Sequence, residues 1–467
     1  MLKKIFYNNF WHKSFSKKKY INTSPIKKNT EYYPECSSKD LSKVINSACI
    51  GLSNFSDYDL IQRSQILKSI SIQIRKKYKI IAKLESLDTG KKIKDAQNEI
   101  LYASKIWNYA SEEINTLKPV DKKFGNGIKA KIIFEPVGCV ALITPWNYPF
   151  IVISERLPFI LAAGNSVIIK PSEYASRSIT YLVNILKEQN LPDGVINLLY
   201  GSGKKIGRKL VSNKKINMIS FTGSTIVGKK IINLSSGGVK RLSLELGGKN
   251  SIIVMSDANI KKAVDITINS FCSNSGQACV ATSKLVLDKK IKTAFIKELK
   301  KKLHSIKDFK KILGPITTSF QFKRIHKILK KNSMYNENVI FGDLTKKKNN
   351  YIFPIVYDNL PLNNIINQEE IFGPILSIIT FENENEAINI ANNTNYGLSA
   401  VICSKNINYA LDISKKINSG RIWINQSILK NFPDLPIGGY KESGLNRECG
   451  TEGFKTYSEI KSIILKK

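Results

Sequence analysis

The residue with the most reactive chemistry in this sequence is Cys279, in the stretch "FCSNSGQACVATSKL" from Phe271 to Leu285, which also holds Cys272. A thiol attacks a carbonyl only as its thiolate, so a nucleophilic cysteine needs donors for the oxyanion it creates and a base for later steps. The three histidines, His12, His304 and His326, have no local relation to Cys279, which leaves a cysteine–histidine hydrolase possible but unsupported. Six residues separate Cys272 from Cys279, unlike the close pairs of zinc sites, and no second pair matches them, so no metal centre is expected. Taken alone, Cys279 reads first as a buried structural residue, because free cysteine is among the most buried residue types.

The elements around it follow two periods. From about 55 to 115 apolar residues recur every three or four positions with basic residues between them, a helical pattern. After that come β-branched runs: "KAKIIFEPVGCVALITPWNYP", "NSVIIKPSE", "VINLLYG" and "NMISFTGS", several ending in a loop rich in Pro, Gly, Ser or Thr. Helix-length segments such as "RSITYLVNILKEQNL" separate them, which predicts an α/β fold with a parallel, doubly wound sheet. Ligands gather at the carboxyl ends of such strands, so 135–250 is the expected cofactor region. A second set, "KNSIIVMSDA", "SKLVLDKKI", "GPILSIITF" and "GLSAVICS", follows and carries Cys279. The basic N-terminus raises a targeting peptide, but the alternating aromatics of "IFYNNFW" read better as an early strand.

The chain has 467 residues, 42% of them hydrophobic, and no apolar run approaches the roughly 18 residues that a membrane span needs, so no membrane partner is expected. Seven cysteines, odd in number and irregularly spaced, with no secretory signal, fit free thiols in a cytoplasmic setting. The net charge of +36 raises nucleic acid as a partner, but the lysines are spread along the whole chain and not gathered in one block. Solvated helix faces account for such a pattern, and no nucleic acid is expected.

Read in order, "ITPWNYPF", "IIKPSE", "SFTGSTIVG", "LELGGKNS", "GQACVA", "EEIFGPIL" and "GGYKESGLNRE" resemble the aldehyde dehydrogenase superfamily of the NAD(P)-dependent, non-phosphorylating kind, over nearly the whole chain. The resemblance implies an NAD-binding domain (1–115 and 137–247), an α/β catalytic domain (248–435) and a small β oligomerisation element (116–136 and 448–467) of a homodimer or homotetramer. It makes Cys279 the nucleophile. The oxyanion donors become the Asn147 side chain and the Cys279 N–H, whereas Asn147 alone would pass as a turn residue before Pro149. Glu245 becomes the base that hydrolyses the thioester. Alone it would pass as a surface charge, although Leu244 and Leu246 beside it point to a partly enclosed position. Glu448 of "NRECG" matches a second glutamate that helps proton transfer.

For the cofactor, Lys170 and Glu173 follow a strand and would meet the adenosine ribose. A glutamate there accepts from the 2′ hydroxyl and repels a 2′-phosphate, which favours NAD over NADP. Gly223 and Ser224 open a helix suited to a pyrophosphate. "GSGKKIG", with Gly203 and Gly207, resembles a dinucleotide loop without the usual spacing. Glu370 and Phe372 match residues that hold the nicotinamide ribose and ring, and Ile143, Trp146 and Gly228 complete the implied set.

The resemblance implies that the substrate is an aldehyde. If the segment after Asn147 is a helix, Tyr148 and Glu155, seven apart, share a face after two turns. A ring beside a carboxylate suits a cationic head group, so a betaine aldehyde or an ω-aminoaldehyde is expected, with Phe432 and Asp434 as further lining. Alternatively Glu155 pairs with Arg156, and simple aliphatic or aromatic aldehydes are the substrates. A coenzyme A-acylating relative is opposed by Glu245 and Glu448, and a non-enzymatic binding protein by intact Cys279, Asn147 and Glu245.

Overall fold

In a computed structural model, residues 2–27, 29–124, 126–343 and 350–466 are described. Two sheets dominate them. In the first, five parallel strands stand in the order Ile196–Leu198, Ser166–Lys170, Cys139–Ile143, Met218–Thr222, Arg241–Glu245. Numbered along the chain this is 3-2-1-4-5, and the order reverses between Cys139–Ile143 and Met218–Thr222, where an open α/β sheet has its ligand crevice. An N-terminal hairpin, Ile5–Tyr7 with Phe10–His12, extends one edge. Its turn is Asn8-Asn9, both at positive φ (46° and 59°), as a two-residue hairpin turn requires.

The second sheet runs Val339–Phe341, Ile355–Asp358, Ile375–Phe381, Thr282–Asp288, Asn250–Val254, Ser399–Cys403, Arg421–Ile424, parallel except at its first pair. Its central strands are buried throughout, as their continuous apolar runs predict. Three antiparallel strands, Val120–Lys123, Ile128–Pro136 and Ser458–Lys466, form a separate sheet.

Four helices precede the first parallel strand: Ser38–Ser56, Leu60–Lys76, Tyr78–Thr89 and Ile93–Glu112. Helix thus begins well before residue 55, the start expected from periodicity. Ser37 and Asp40 cap the first of them reciprocally, and Asp59 with Gln62 does the same for the second. Gly90, at φ 79°, ends the third and turns the chain so that Lys91 and the fourth helix reach the cavity described next. Among the described residues no helix is long and apolar enough to cross a membrane.

Candidate active site

The carboxyl ends of the first sheet face the amino ends of the second across a cavity of about 1960 Å³. The strand Arg241–Glu245 delivers Glu245 at its last residue, and the chain then turns through Gly247 and Gly248 into the strand that starts at Asn250. A Cβ on Gly247 would lie 2.6 Å from a Glu370 carboxylate oxygen, and one on Gly248 2.9 Å from the Cys279 carbonyl, so the glycines permit these approaches. Glu245 is 5% exposed, and its Oε1 is buried with no hydrogen-bond partner among the described residues. Burial pushes its carboxyl up to about 8; Arg156 opposes the shift, and Glu448 and Glu155 add to it.

Cys279 stands just before the strand Thr282–Asp288, at the amino edge of the second sheet. The turn leading to it has three consecutive residues at positive φ, Asn274 (46°), Ser275 (59°) and Gly276 (74°). A Cβ on Gly276 would sit 2.1 Å from the Gly373 carbonyl carbon, which locks this turn against the loop Glu369–Gly373. Asn250 Nδ2 donates to the Cys279 carbonyl at 2.6 Å and to the Ala281 carbonyl at 3.0 Å, fixing the chain on the other side. Cys279 lines the cavity, and so does Cys272, which is more deeply buried. Burial first, then the carboxylates of Glu245, Glu370 and Glu155, push the Cys279 thiol up to about 12. Its backbone N–H makes no hydrogen bond among the described residues.

Asn147 arrives from the strand Cys139–Ile143, on a segment in which every residue from Ile143 to Tyr148 lines the cavity. Its Nδ2 donates to the Gln277 carbonyl at 3.0 Å, two residues before the cysteine. Trp146 packs edge to face on Phe372, centroids 5.4 Å apart. Glu370 accepts from the Gly248 N–H at 3.1 Å, and burial raises its carboxyl to about 7 against that bond. Phe372 sits at φ 60°, an unusual conformation for a bulky residue. Gln321 donates to the carbonyls of Ile371 and Phe372, and Arg324 to those of Glu370 and Ile371, which hold this loop in place. Both line the cavity and were missed in the sequence, where their only signal is a three-residue spacing on the helix Ser319–Lys331.

At the other end of the cavity lie Lys170, Glu173, Gly203, Gly207, Gly223 and Ser224. Lys170 is buried with its Nζ 3.2 Å from the Pro171 carbonyl and 3.9 Å from Glu173; burial lowers its ammonium below the usual lysine range. The helix Thr225–Ser235 begins there without a side-chain cap, and the N–H groups of Thr225 and Ile226 make no hydrogen bond among the described residues. Open amides at a helix start suit a phosphate. Gly203 and Gly207 are not glycines for want of protein space, since among the described residues a Cβ on Gly203 would meet nothing within 4 Å and one on Gly207 would be in ordinary contact with Lys170 at 3.6 Å and the Ser202 carbonyl at 3.8 Å. Gly228 does not line the cavity. A Cβ there would lie 2.7 Å from Leu246, so it lets the helix pack on the chain beyond Glu245.

The substrate-side expectations need correction. Tyr148 and Glu155 both line the cavity but do not share a helix, because the helix between them spans only Pro149–Ser154. Pro149 keeps Tyr148 out of the helix, at φ −138° and ψ 57°, because the residue before a proline is disfavoured in the α region, and Pro158, inside the next helix Leu157–Ala162, has no N–H to continue the ladder to the Ser154 carbonyl. Phe432 is 54% exposed and, like Asp434, is not part of the wall; Ile428, Leu429 and Asn431 of the same loop are. Arg421 sets that loop's direction by donating to Asn431 Oδ1 and to the carbonyls of Leu435 and Pro436, each at 3.0 Å. Glu155 does meet Arg156, at 3.4 Å, and the Lys91 ammonium lies 4.0 Å from the Tyr148 ring centroid. One further set was missed: Asp95, Asn98, Glu99 and Tyr102 line the cavity from the helix Ile93–Glu112 at the i, i+3, i+4, i+7 spacing of a single face. Glu448 is fully buried outside the cavity wall, where it bonds Ser243 and Tyr457 and lies 3.7 Å from Arg156 Nε.

The assembled groups are a thiol, an open backbone N–H and a side-chain amide near it, a carboxyl that titrates near neutrality, and open amides for a phosphate. The model of the aldehyde dehydrogenase family matches residues 11–463. The chain is similar to the peroxisomal aminoaldehyde dehydrogenase 1 of Pisum sativum, 32% identical over 480 residues, covering 99% of this chain and 95% of that one. Its fold is similar to an NAD-dependent aldehyde dehydrogenase from Sinorhizobium meliloti (TM-score 0.96, 31% identity, 100% and 95% of the two chains). It is also similar to a betaine aldehyde dehydrogenase variant from Staphylococcus aureus in complex with NAD+ (TM-score 0.94, 29% identity, 99% and 97%). With a family match over nearly its full length, this chain belongs to the aldehyde dehydrogenase family.

Proposed function

We propose that the protein oxidises an aldehyde to its carboxylate with NAD, through a covalent adduct on Cys279. The observation that carries this reading is the meeting of Cys279, Asn147 and Glu245 in one cavity whose far end offers open helix amides and Glu173. Cys279 adds to the aldehyde carbon, and the resulting alkoxide accepts hydrogen bonds from the Cys279 N–H and the Asn147 amide. NAD, when bound, supplies the acceptor for the hydride that this carbon then loses, which leaves a thioester. Glu245 takes a proton from water as the water attacks the thioester carbon, and the thiolate leaves as the carboxylate product forms. Cys279 attacks as its thiolate after giving its proton to solvent, and burial with the neighbouring carboxylates keeps that form scarce at neutral pH. Glu370 and Phe372, braced by Gln321 and Arg324, hold the nicotinamide ribose and ring, with Trp146 and Ile143 beside them. Glu448 acts through Arg156, which it orients in the wall.

The substrate we propose is an ω-aminoaldehyde. Asp95, Glu99 and Glu155 put three carboxylates on the wall, beside Tyr102 and Tyr148; Glu99 is paired with Lys91 and Glu155 with Arg156, so Asp95 and the oxygens those pairs leave open are what a substrate cation would meet. A primary ammonium can donate to them. A quaternary ammonium has no N–H and relies on aromatic faces, and Lys91 already covers one face of Tyr148. The named pea relative is consistent with this choice. A cytoplasmic homodimer or homotetramer, built through the three-stranded sheet, completes the proposal. The test is kcat/KM for an ω-aminoaldehyde, betaine aldehyde and an uncharged aldehyde of similar length, in the parent and in Asp95→Asn. The parent should favour the aminoaldehyde, and Asp95→Asn should cut that preference. A parent that favours the uncharged aldehyde refutes the substrate and leaves aldehyde oxidation standing; no NADH with any of the three refutes the reaction.

A further inference from the structure

The amide proposed to hold the oxyanion is itself held. Asn147 Nδ2 carries two hydrogens, and one is committed to the Gln277 carbonyl at 3.0 Å. The direction of that bond fixes where the second hydrogen points, so the oxyanion donor is aimed by the position of one carbonyl. Asn274 Nδ2 donates to the same carbonyl at 3.3 Å and to the Asn147 carbonyl at 3.2 Å, bridging the two segments. The carbonyl cannot drift, because the Gln277 side chain is buried and bonded at both ends. Its Oε1 accepts from the Thr317 N–H at 2.9 Å, and its Nε2 donates to the Asn274 carbonyl at 3.0 Å and the Pro315 carbonyl at 3.4 Å. Ser275 adds a bond to the Gly314 carbonyl at 2.8 Å. The segment Gly314–Thr317 is anchored in turn, by the Thr317 hydroxyl bond to the Thr89 carbonyl at 2.7 Å. These bonds also explain why Asn274 and Ser275 can remain at positive φ, where a residue with a Cβ is strained.

We infer that Gln277, together with Asn274, is a positioning residue that aims the Asn147 amide at the oxyanion. This rests on the proposed role of Asn147. Truncating Gln277 releases the carbonyl, the Asn147 amide turns about its side-chain bond, and its second hydrogen no longer meets the developing charge. The thiol, the carboxyl of Glu245 and the cofactor end are untouched by these bonds.

The experiment is a double-mutant cycle on the full chain, read as the single-turnover rate of NADH formation after aldehyde is mixed with enzyme and excess NAD. Asn147→Ala should slow that step by about 10²- to 10³-fold, as loss of an oxyanion donor does. Gln277→Ala and Asn274→Ala should each slow it by roughly 10- to 100-fold through misplacement. Gln277→Ala combined with Asn147→Ala should be no slower than Asn147→Ala alone, since two residues acting as a unit are not additive. KM for NAD and the rate of Cys279 alkylation by iodoacetamide should stay within about twofold of the parent, readouts that a general loosening of the turn would move. Asn274→Ala carries the same prediction if Gln277→Ala does not fold. Losses that multiply in the double variant, or single variants as fast as the parent, overturn the inference while Asn147 keeps its role. An Asn147→Ala enzyme as fast as the parent overturns the role of Asn147, and the inference with it.

Discussion

Replacing Glu245 by Gln separates the two halves of the proposed reaction. The side chain keeps its size but cannot take a proton, so thioester hydrolysis should fall by about 10²-fold or more, the range of general-base catalysis. The structure adds a pH dependence to that figure. Glu245 is raised to about 8 because it is buried. Its basic form is therefore the minor species at pH 7, about a tenth of the total, and about nine tenths at pH 9. Sign follows directly: the parent gains activity as pH rises through 8, whereas the Gln variant lacks the titrating group and does not share the gain. The ratio of parent to variant turnover should grow by about tenfold between pH 7 and pH 9 and then level off. A second effect runs the other way. The Glu245 charge helps to raise the Cys279 thiol, so the neutral Gln should shift the pH profile of iodoacetamide alkylation to lower pH. Stopped-flow NADH fluorescence should show a burst approaching one NADH per active site, followed by a slow steady state. Unchanged turnover with no burst, or a parent-to-variant ratio that is flat with pH, would refute the reasoning.

The remaining predictions concern the other ends of the site. Cys279→Ala should abolish aldehyde oxidation while NAD still quenches intrinsic fluorescence on binding, and Cys272→Ala should retain most activity; the reverse pattern would move the nucleophile to Cys272. The parent should use NAD more efficiently than NADP, and Glu173→Gln should improve NADP relative to NAD by roughly tenfold, the scale of one like-charge contact. Equal efficiencies in the parent would mean that Glu173 does not face the 2′ position.

Much of this site was legible because its chemistry is concentrated where strands end. The strand-then-glycine plan pointed to the Gly223 loop, whereas Glu245 and the Ile143–Tyr148 segment were legible only through the family resemblance, and the two glycines after Glu245 mark a close approach to Glu370 and Cys279. What could not be read is which face of an element meets the cavity. The stripe Asp95, Asn98, Glu99, Tyr102 is visible as a spacing, yet a polar helix face looks the same whether it meets bulk water or a cavity. Gln321 and Arg324 were hidden in the same way. Tyr148 and Glu155 failed as a helical pair because Pro149 holds the residue before it out of the α region, which a simple spacing count ignores. Phe432 failed because Arg421, on the strand that leads into its loop, pulls the loop by three hydrogen bonds, and Asn431 and Leu429 line the cavity instead. The helix Ser38–Ser56 was missed because its buried positions include Ser47, Ala48 and Gly51, which carry little apolar signal. Gly51 is small because a Cβ there would lie 2.1 Å from the Gly194 carbonyl carbon, a tertiary contact.

The claim on which the rest depends is that the aldehyde carbon is oxidised while bonded to Cys279. The most direct test is peptide mass spectrometry after an acid quench during the first turnover of Glu245→Gln with NAD and aldehyde. The account predicts a mass gain equal to the acyl group on the peptide that contains Cys279, present with NAD and absent without it. NADH formed with no adduct on that peptide, or an adduct carried by Cys272, would contradict it.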